Sequence, residues 1–244
     1  MADNDQTPKN SCLFGASGGI GAAILNQWQQ DPQVGSIHAG ARRPDATGPK
    51  TASFAFDLID ESTITAAANG ISASGPIDTV FVATGMLHSD IIAPEKSLRA
   101  QTAESYGYAF AINTIGPALI AKHFLPLLPR DRRSVFAVLS ARVSSISDNR
   151  LGGWHAYRAS KAALNMSMRN FAIEMARTHP QAIIVALHPG TVDTQLSRPF
   201  QRGVTPENLF TPEFSAQRML AILDTLTPAD SGNLFAWDGQ RIDF

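Results

Sequence analysis

Tyr157 and Lys161 stand four residues apart in the stretch Tyr157-Arg158-Ala159-Ser160-Lys161. On a helix that spacing puts both side chains on one face, about one turn apart. An ammonium close to a phenol favours the phenolate, because the opposite charge stabilises the ionised form. A tyrosine drawn down in this way can give or take a proton at a carbonyl or alcohol oxygen. Taken alone, the pair fits a solvated lysine beside a half-buried tyrosine equally well.

A second feature with chemistry lies near the start. Cys12-Leu13-Phe14 runs into Gly15-Ala16-Ser17-Gly18-Gly19-Ile20-Gly21, followed by Ala22-Ala23-Ile24-Leu25. A pyrophosphate needs a sharp turn out of a strand, close backbone approach, and a helix N-terminus whose free N–H groups face the anion. Gly15, Gly19 and Gly21 supply these, with Ser17, Gly18 and Ile20 completing the turn. The spacing is G-x-x-x-G-x-G rather than G-x-G-x-x-G. The next apolar run ends in His38-Ala39-Gly40-Ala41-Arg42-Arg43-Pro44, which holds no acid. At this place in a dinucleotide fold a carboxylate would hold the ribose 2′-hydroxyl, and arginine would hold a 2′-phosphate. Arg42 and Arg43 therefore favour NADP(H) over NAD(H). Asp57 and Leu58 fall where an adenine edge could be met. Ala83-Thr84-Gly85 permits close backbone approach to the same ligand.

The elements that must position these residues alternate. Short, continuously apolar runs at 12–14, 36–40, 53–56, 79–83, 135–139, 183–187 and 234–237 read as strands buried on both faces of a parallel sheet. Helical patterns at 19–30, 60–73, 102–128, 155–178 and 213–225 lie between them. The pattern predicts one α/β domain over residues 1–244, a Rossmann-type doubly wound parallel sheet of about seven strands with helices on both faces. Residues 1–9 read as an N-terminal arm. Residues 191–211, with Pro199, Gly203 and Pro206, read as a lid over a substrate pocket.

Bulk properties narrow the function classes. Net charge is −1, which gives no pull toward nucleic acid or an anionic membrane. The lone Cys12 excludes disulfides within the chain and suits a reducing, cytoplasmic setting. The first residues lack the basic start and apolar core of a signal peptide, and no apolar run is long enough to span a bilayer. The six histidines are scattered without metal-ligand spacing, so no metal is expected.

Together these motifs resemble the short-chain dehydrogenase/reductase family over nearly the whole chain. The matching pieces are the Gly15–Gly21 turn, Asp57, Ala83-Thr84-Gly85, Asn113, Tyr157-x-x-x-Lys161, and Pro189-Gly190-Thr191 with Thr194. The Ile146–Trp154 segment and the Tyr-Arg-Ala-Ser-Lys run look like the branch that holds the bacterial cell-contact C-factor and the insect carbonyl reductase sniffer. The resemblance implies hydride transfer between a nicotinamide and a small carbonyl or alcohol substrate. It implies Tyr157 as general acid/base, with Lys161 lowering its pKa and holding the ribose hydroxyls. Asn113 would sit at a break in its helix and hold a water in a proton relay to Lys161. Pro189, Gly190, Thr191 and Val192 would meet the nicotinamide amide, and Thr194 the pyrophosphate. Homodimers or homotetramers through the 102–128 and 155–178 helices are implied as well.

The family also expects a serine just past the fifth strand. Ser140 is the first candidate, but a one-residue shift in register would put Ala141 there. Counting back from Tyr157 by the family's usual interval lands on Ser144, with Ser145 adjacent. Phe14 and Ala83, where threonine and asparagine are usual, are milder departures. Trp154, Leu196, Phe200 and Leu209 suggest a lipophilic or aromatic carbonyl compound, and His88 and His155 lie where they could touch it. The uncertain serine keeps open an alternative, a cofactor-binding regulatory protein with little turnover.

Overall fold

The computed structural model describes residues 8–89 and 92–244. Its strands are β1 (Lys9–Phe14), β2 (Val34–Ala41), β3 (Thr51–Ala55), β4 (Thr79–Val82), β5 (Ser134–Leu139), β6 (Ala182–His188), β7 (Thr191–Val192), β8 (Leu209–Phe210), β9 (Leu234–Ala236) and β10 (Arg241–Ile242). Its α-helices are α1 (Gly19–Gln30), α2 (Glu61–Ser72), α3 (Ala103–Phe110), α4 (Gly116–Phe124), α5 (His155–Met175) and α6 (Pro212–Thr225). Eight strands form one sheet in the order β10-β9-β6-β5-β4-β1-β2-β3. Seven of them run parallel, as the apolar runs foretell. The eighth is an addition: after the turn at 238–240 the chain pairs Arg241 and Ile242 antiparallel to β9, and Ile242 is buried. Two residues are too short a run to register as a strand in the sequence.

Each face of the sheet carries its own core, because successive strand residues point to opposite sides. Cys12, Phe14, Val80, Val82, Phe136 and Val138 pack under α2, α4 and α5. Leu13, Phe81, Val135, Ala137 and Leu139 pack under α1 and α6. Phe14 meets Phe54, Phe56 and Phe124 edge-on at 5.3, 4.9 and 4.8 Å between ring centres. Each such pair contributes about 1 kcal/mol beyond area burial. The departure at position 14 is thus a core feature, away from the polar side of the turn.

Two expectations about elements change. The run 102–128 is three pieces. Thr102 caps α3 by accepting the Ser105 N–H at 3.1 Å, a π-helical turn covers 111–115, and α4 follows. Pro117 has no N–H, so the Asn113 carbonyl loses its α-helical donor four residues on, and the helix bulges there. The 191–211 segment is less irregular than its prolines suggest. Its ends pair as β7 and β8, Thr191 with Leu209 and Val192 with Phe210. Of the expected N-terminal arm, Lys9 opens β1, and residues 1–7 lie outside the described residues.

Candidate active site

The chemistry-bearing residues gather at the carboxyl ends of the parallel strands. The strand order reverses between β1 and β4, and the crevice at such a reversal is where α/β sheets take ligands. Gly15 follows β1 with φ +89°, and its N–H donates to the Gly40 carbonyl at 2.9 Å. A β-carbon on Gly21 would lie 2.0 Å from the Gly15 carbonyl oxygen, so only glycine lets α1 start this close to the strand. No side chain caps α1 and its first turn holds no acid, so that end of the helix dipole faces the crevice uncompensated. Ser17, Gly18 and Gly19 are exposed along the turn, and Ile20 is half-buried. A β-carbon on Gly19 would come within 2.8 Å of Thr194 Cγ2. The structure therefore brings the 15–21 turn and Thr194 together across the crevice.

Arg42 and Arg43 leave the end of β2 exposed and make no ion pair among the described residues. Asp57 accepts the Ile59 N–H at 3.1 Å. The Leu58 side chain is buried against Gly116, where a β-carbon would be 2.7 Å from Leu58 Cδ2. Leu58 thus packs a helix with its side chain, and an adenine edge would meet only its backbone. After β4, the Ala83 N–H donates to Phe14 O at 2.8 Å. Thr84 Oγ1 is buried without a partner, and Gly85 is exposed beside it. On the far side, Ser215 Oγ donates to Pro189 O at 2.8 Å. Gly190 takes φ +81°, with Phe210 filling the space a β-carbon would need. Thr191 and Val192 form β7 next to it. The glycine cradle, the uncapped helix, the unpartnered Thr84 hydroxyl and two free arginines fit a phosphate-bearing dinucleotide.

Lys161 is 2 % exposed, and its Nζ donates to Leu139 O at 2.8 Å. That Nζ lies 3.3 Å from where a β-carbon on Gly85 would stand, with Asn113 Oδ1 3.7 Å from the same point. Asn113 is fully buried in the π-helical turn. Its amide clamps Met86, accepting the N–H and donating to the carbonyl, both at 2.8 Å, and also donates to Ser160 Oγ at 3.1 Å. Asn113, Lys161 and the 84–86 loop are thus one connected unit, and the side chain of Asn113 is occupied in holding it. Tyr157 sits one turn before Lys161, half-buried.

The expected lowering of the Tyr157 pKa is corrected. Burial pushes the phenol up to about 12. Burial also pulls the Lys161 ammonium down to about 7, so near neutrality it offers the phenol a reduced charge, and its Nζ is turned to Leu139. The protonated phenol is the form that can donate a proton.

The three candidate serines all have hydrogen-bond partners within the chain. Ser140 Oγ donates to Asn165 Oδ1 at 2.7 Å. Ser144 Oγ donates to Ala141 O at 2.5 Å and accepts from Asn165 Nδ2 at 2.7 Å. Ser145 Oγ donates to Asp243 O. All three are at most 4 % exposed. Asn165 lies eight residues along α5 from Tyr157, about 12 Å down the helix, and it holds the hydroxyls of both Ser140 and Ser144.

Two residues, Asn165 and Glu95, escaped the sequence reading, and Trp154, named there for its ring, takes a backbone conformation that was not foreseen. Asn165 joins two of the serines. Trp154 has φ 50° and ψ 45°, a left-handed conformation that costs roughly 1–2 kcal/mol in a non-glycine residue; the preceding Gly152-Gly153 was its only signal. Its ring meets Tyr157 at 6.2 Å and Phe200 at 5.2 Å, while Phe200 meets His88 at 5.5 Å. Glu95 accepts the N–H groups of Trp154 and Ala156 from 59 and 61 residues away in the chain, so it left no local signal. His155 opens α5 half-buried.

A family model described as short chain dehydrogenase matches residues 9–204. The 1-hydroxy-2-glutathionyl-2-methyl-3-butene dehydrogenase of Rhodococcus sp. (strain AD45) is 30% identical over 95% of this chain and 98% of its own. The C-signal of Myxococcus xanthus is 34% identical over 54% of this chain and 75% of its own. The NADPH-bound carbonyl reductase from chicken fatty liver superposes with a TM-score of 0.83 at 23% identity, covering 98% of this chain and 100% of that structure.

Proposed function

The chain belongs to the short-chain dehydrogenase family, and we propose that it is an NADPH-dependent carbonyl reductase in which Tyr157 protonates the reacting oxygen. The observation that carries this reading is the Gly85 junction, where Lys161 Nζ and Asn113 Oδ1 converge beside the orphaned Thr84 hydroxyl. Bound NADPH supplies the hydride. The 15–21 turn and Thr194 would hold the pyrophosphate, with Arg42 and Arg43 on the 2′-phosphate. Asp57 and the Leu58 backbone would meet the adenine. Ala83, Thr84 and Gly85 would lie along the ribose, and Pro189, Gly190, Thr191 and Val192 would meet the amide. Lys161 would hold the nicotinamide ribose, and the Asn113 carbonyl freed by Pro117 would hold the relay water. A phenol kept protonated by burial donates its proton as the carbonyl carbon is reduced, and is reprotonated through Lys161.

The substrate class follows from the wall next to that phenol. Trp154, Phe200 and His88 form a row of rings leading from Tyr157 to the 191–211 segment, which acts as the lid. Aryl ketones, aryl diketones and quinones match this wall. The lone, buried Cys12 supports a cytoplasmic setting. No helix among the described residues is long and apolar enough to cross a membrane. The exposed Ile115, Met166 and Ile173 support association as a homodimer or homotetramer through the 102–128 run and α5.

The engaged serines favour one alternative, a cofactor-binding regulator with little turnover. Measuring NADPH consumption with an aryl ketone, an aryl diketone, a quinone and an aldehyde separates the two. Turnover of an aromatic member supports the reductase. Tight NADPH binding with no turnover of any member supports the regulator.

A further inference from the structure

The helix that carries Tyr157 begins in an unusual way. Gly152, Gly153 and Trp154 take φ of +64°, +68° and +50° in succession, and Trp154 is the only non-glycine with positive φ among the described residues. α5 then starts at His155 with no side-chain cap from Trp154 and no acid in its first turn. Such a start leaves N–H groups without intrahelical partners. One residue of the β4–α3 connection accepts two N–H groups there. The Glu95 carbonyl accepts the Trp154 N–H at 2.6 Å, and Glu95 Oε2 accepts the Ala156 N–H at 3.2 Å. Glu95 is 3 % exposed and forms no ion pair among the described residues. The positive end of the α5 dipole is what offsets its buried side chain.

We propose that Glu95 is a positioning residue for the reaction: it fixes the left-handed entry to α5, and through it the placement of Tyr157 and of the Trp154 ring against Phe200. Ala156, whose N–H it holds, is the immediate neighbour of Tyr157. Glu95, Ala156 and Tyr157 line one narrow cavity with Met86, the residue whose backbone Asn113 clamps. The helix start is therefore tied to the same loop as the Lys161 and Asn113 junction. The backbone carbonyl holds Trp154 whatever the side chain; the side chain's part is the Ala156 N–H, which takes an acceptor oxygen at this length.

The inference rests on the reductase reading, so its test has one arm that turnover does not enter. Hydrogen exchange of Glu95→Ala compared with the parent reads the helix start directly. Exchange of the 154–158 amides should accelerate tenfold or more, with the 165–175 half of α5 unchanged; unaltered protection at 154–158 overturns the proposal. In the kinetic arm, kcat is normalised to bound NADPH, using the panel carbonyl that the parent reduces fastest. Glu95→Ala should lose tenfold or more in kcat with NADPH affinity within twofold, and Glu95→Gln, which keeps the acceptor oxygen, should recover to within threefold. A Glu95→Ala kcat within twofold of the parent overturns the proposal. Where Glu95→Ala fails to bind NADPH, Glu95→Asp stands in, one methylene short of Ala156. It should lose at least fivefold, and a kcat within twofold of the parent overturns the proposal. A parent that reduces no carbonyl defeats the reductase reading alone, and the exchange arm still decides the role of Glu95.

Discussion

The Ser140 hydroxyl donates to Asn165 Oδ1 across 2.7 Å, and the same amide donates to Ser144 at 2.7 Å. This buried triangle ties the end of β5 to the middle of α5. Ser140→Ala leaves a buried amide oxygen without its donor, a loss of about 1–3 kcal/mol. The expected result is a midpoint lowered in chemical denaturation, with kcat reduced less than tenfold. A loss of a thousandfold in kcat with unchanged stability would return Ser140 to the reacting oxygen.

The arginines at the end of β2 have nothing else to do among the described residues. Replacing both, Arg42→Ala with Arg43→Ala, should weaken NADPH at least tenfold and NADH less than twofold. Charge-assisted contacts to a phosphate account for that scale. Fluorescence titration with both cofactors checks it, and an equal loss for the two would mean these side chains do not read the 2′-phosphate.

Lys161 should leave a signature in stability against pH. Its folded pKa of about 7 lies below the ordinary value of 10.5. Between those values the unfolded chain binds more protons, so this group's contribution to stability rises with pH through the window. Burying the ammonium is thus most unfavourable near pH 6. The midpoint of Lys161→Met minus that of the parent should fall by several degrees from pH 6 to pH 9. A difference that stays flat would place a normally titrating amine at 161.

The parallel sheet, the nucleotide turn and the active-site helix were legible because their signals are local. Gly15, Gly19 and Gly21 announce a backbone geometry, and four-residue spacing puts Tyr157 above Lys161. Asn113 was legible through the family resemblance, and Pro117 supplies the physical reason, since its missing N–H disrupts the helix four residues earlier. The partners of the serine hydroxyls were not legible, because Asn165 and Asp243 are far from Ser140 and Ser145 in the chain. The direction of the Tyr157 shift was misread for a related reason. Spacing shows that a lysine is near, whereas burial sets how much charge it offers. Glu95 was invisible for the same cause, since a contact 61 residues away has no periodicity to betray it.

Tyr157→Phe removes one oxygen and leaves the ring in place beside Trp154. Single-turnover reduction of an aryl diketone by the NADPH-loaded variant is the most direct measurement. We expect a rate lowered at least a thousandfold, about 4 kcal/mol in the barrier, with NADPH affinity within twofold of the parent. A variant that keeps more than a tenth of the parent rate would contradict Tyr157 as the proton donor.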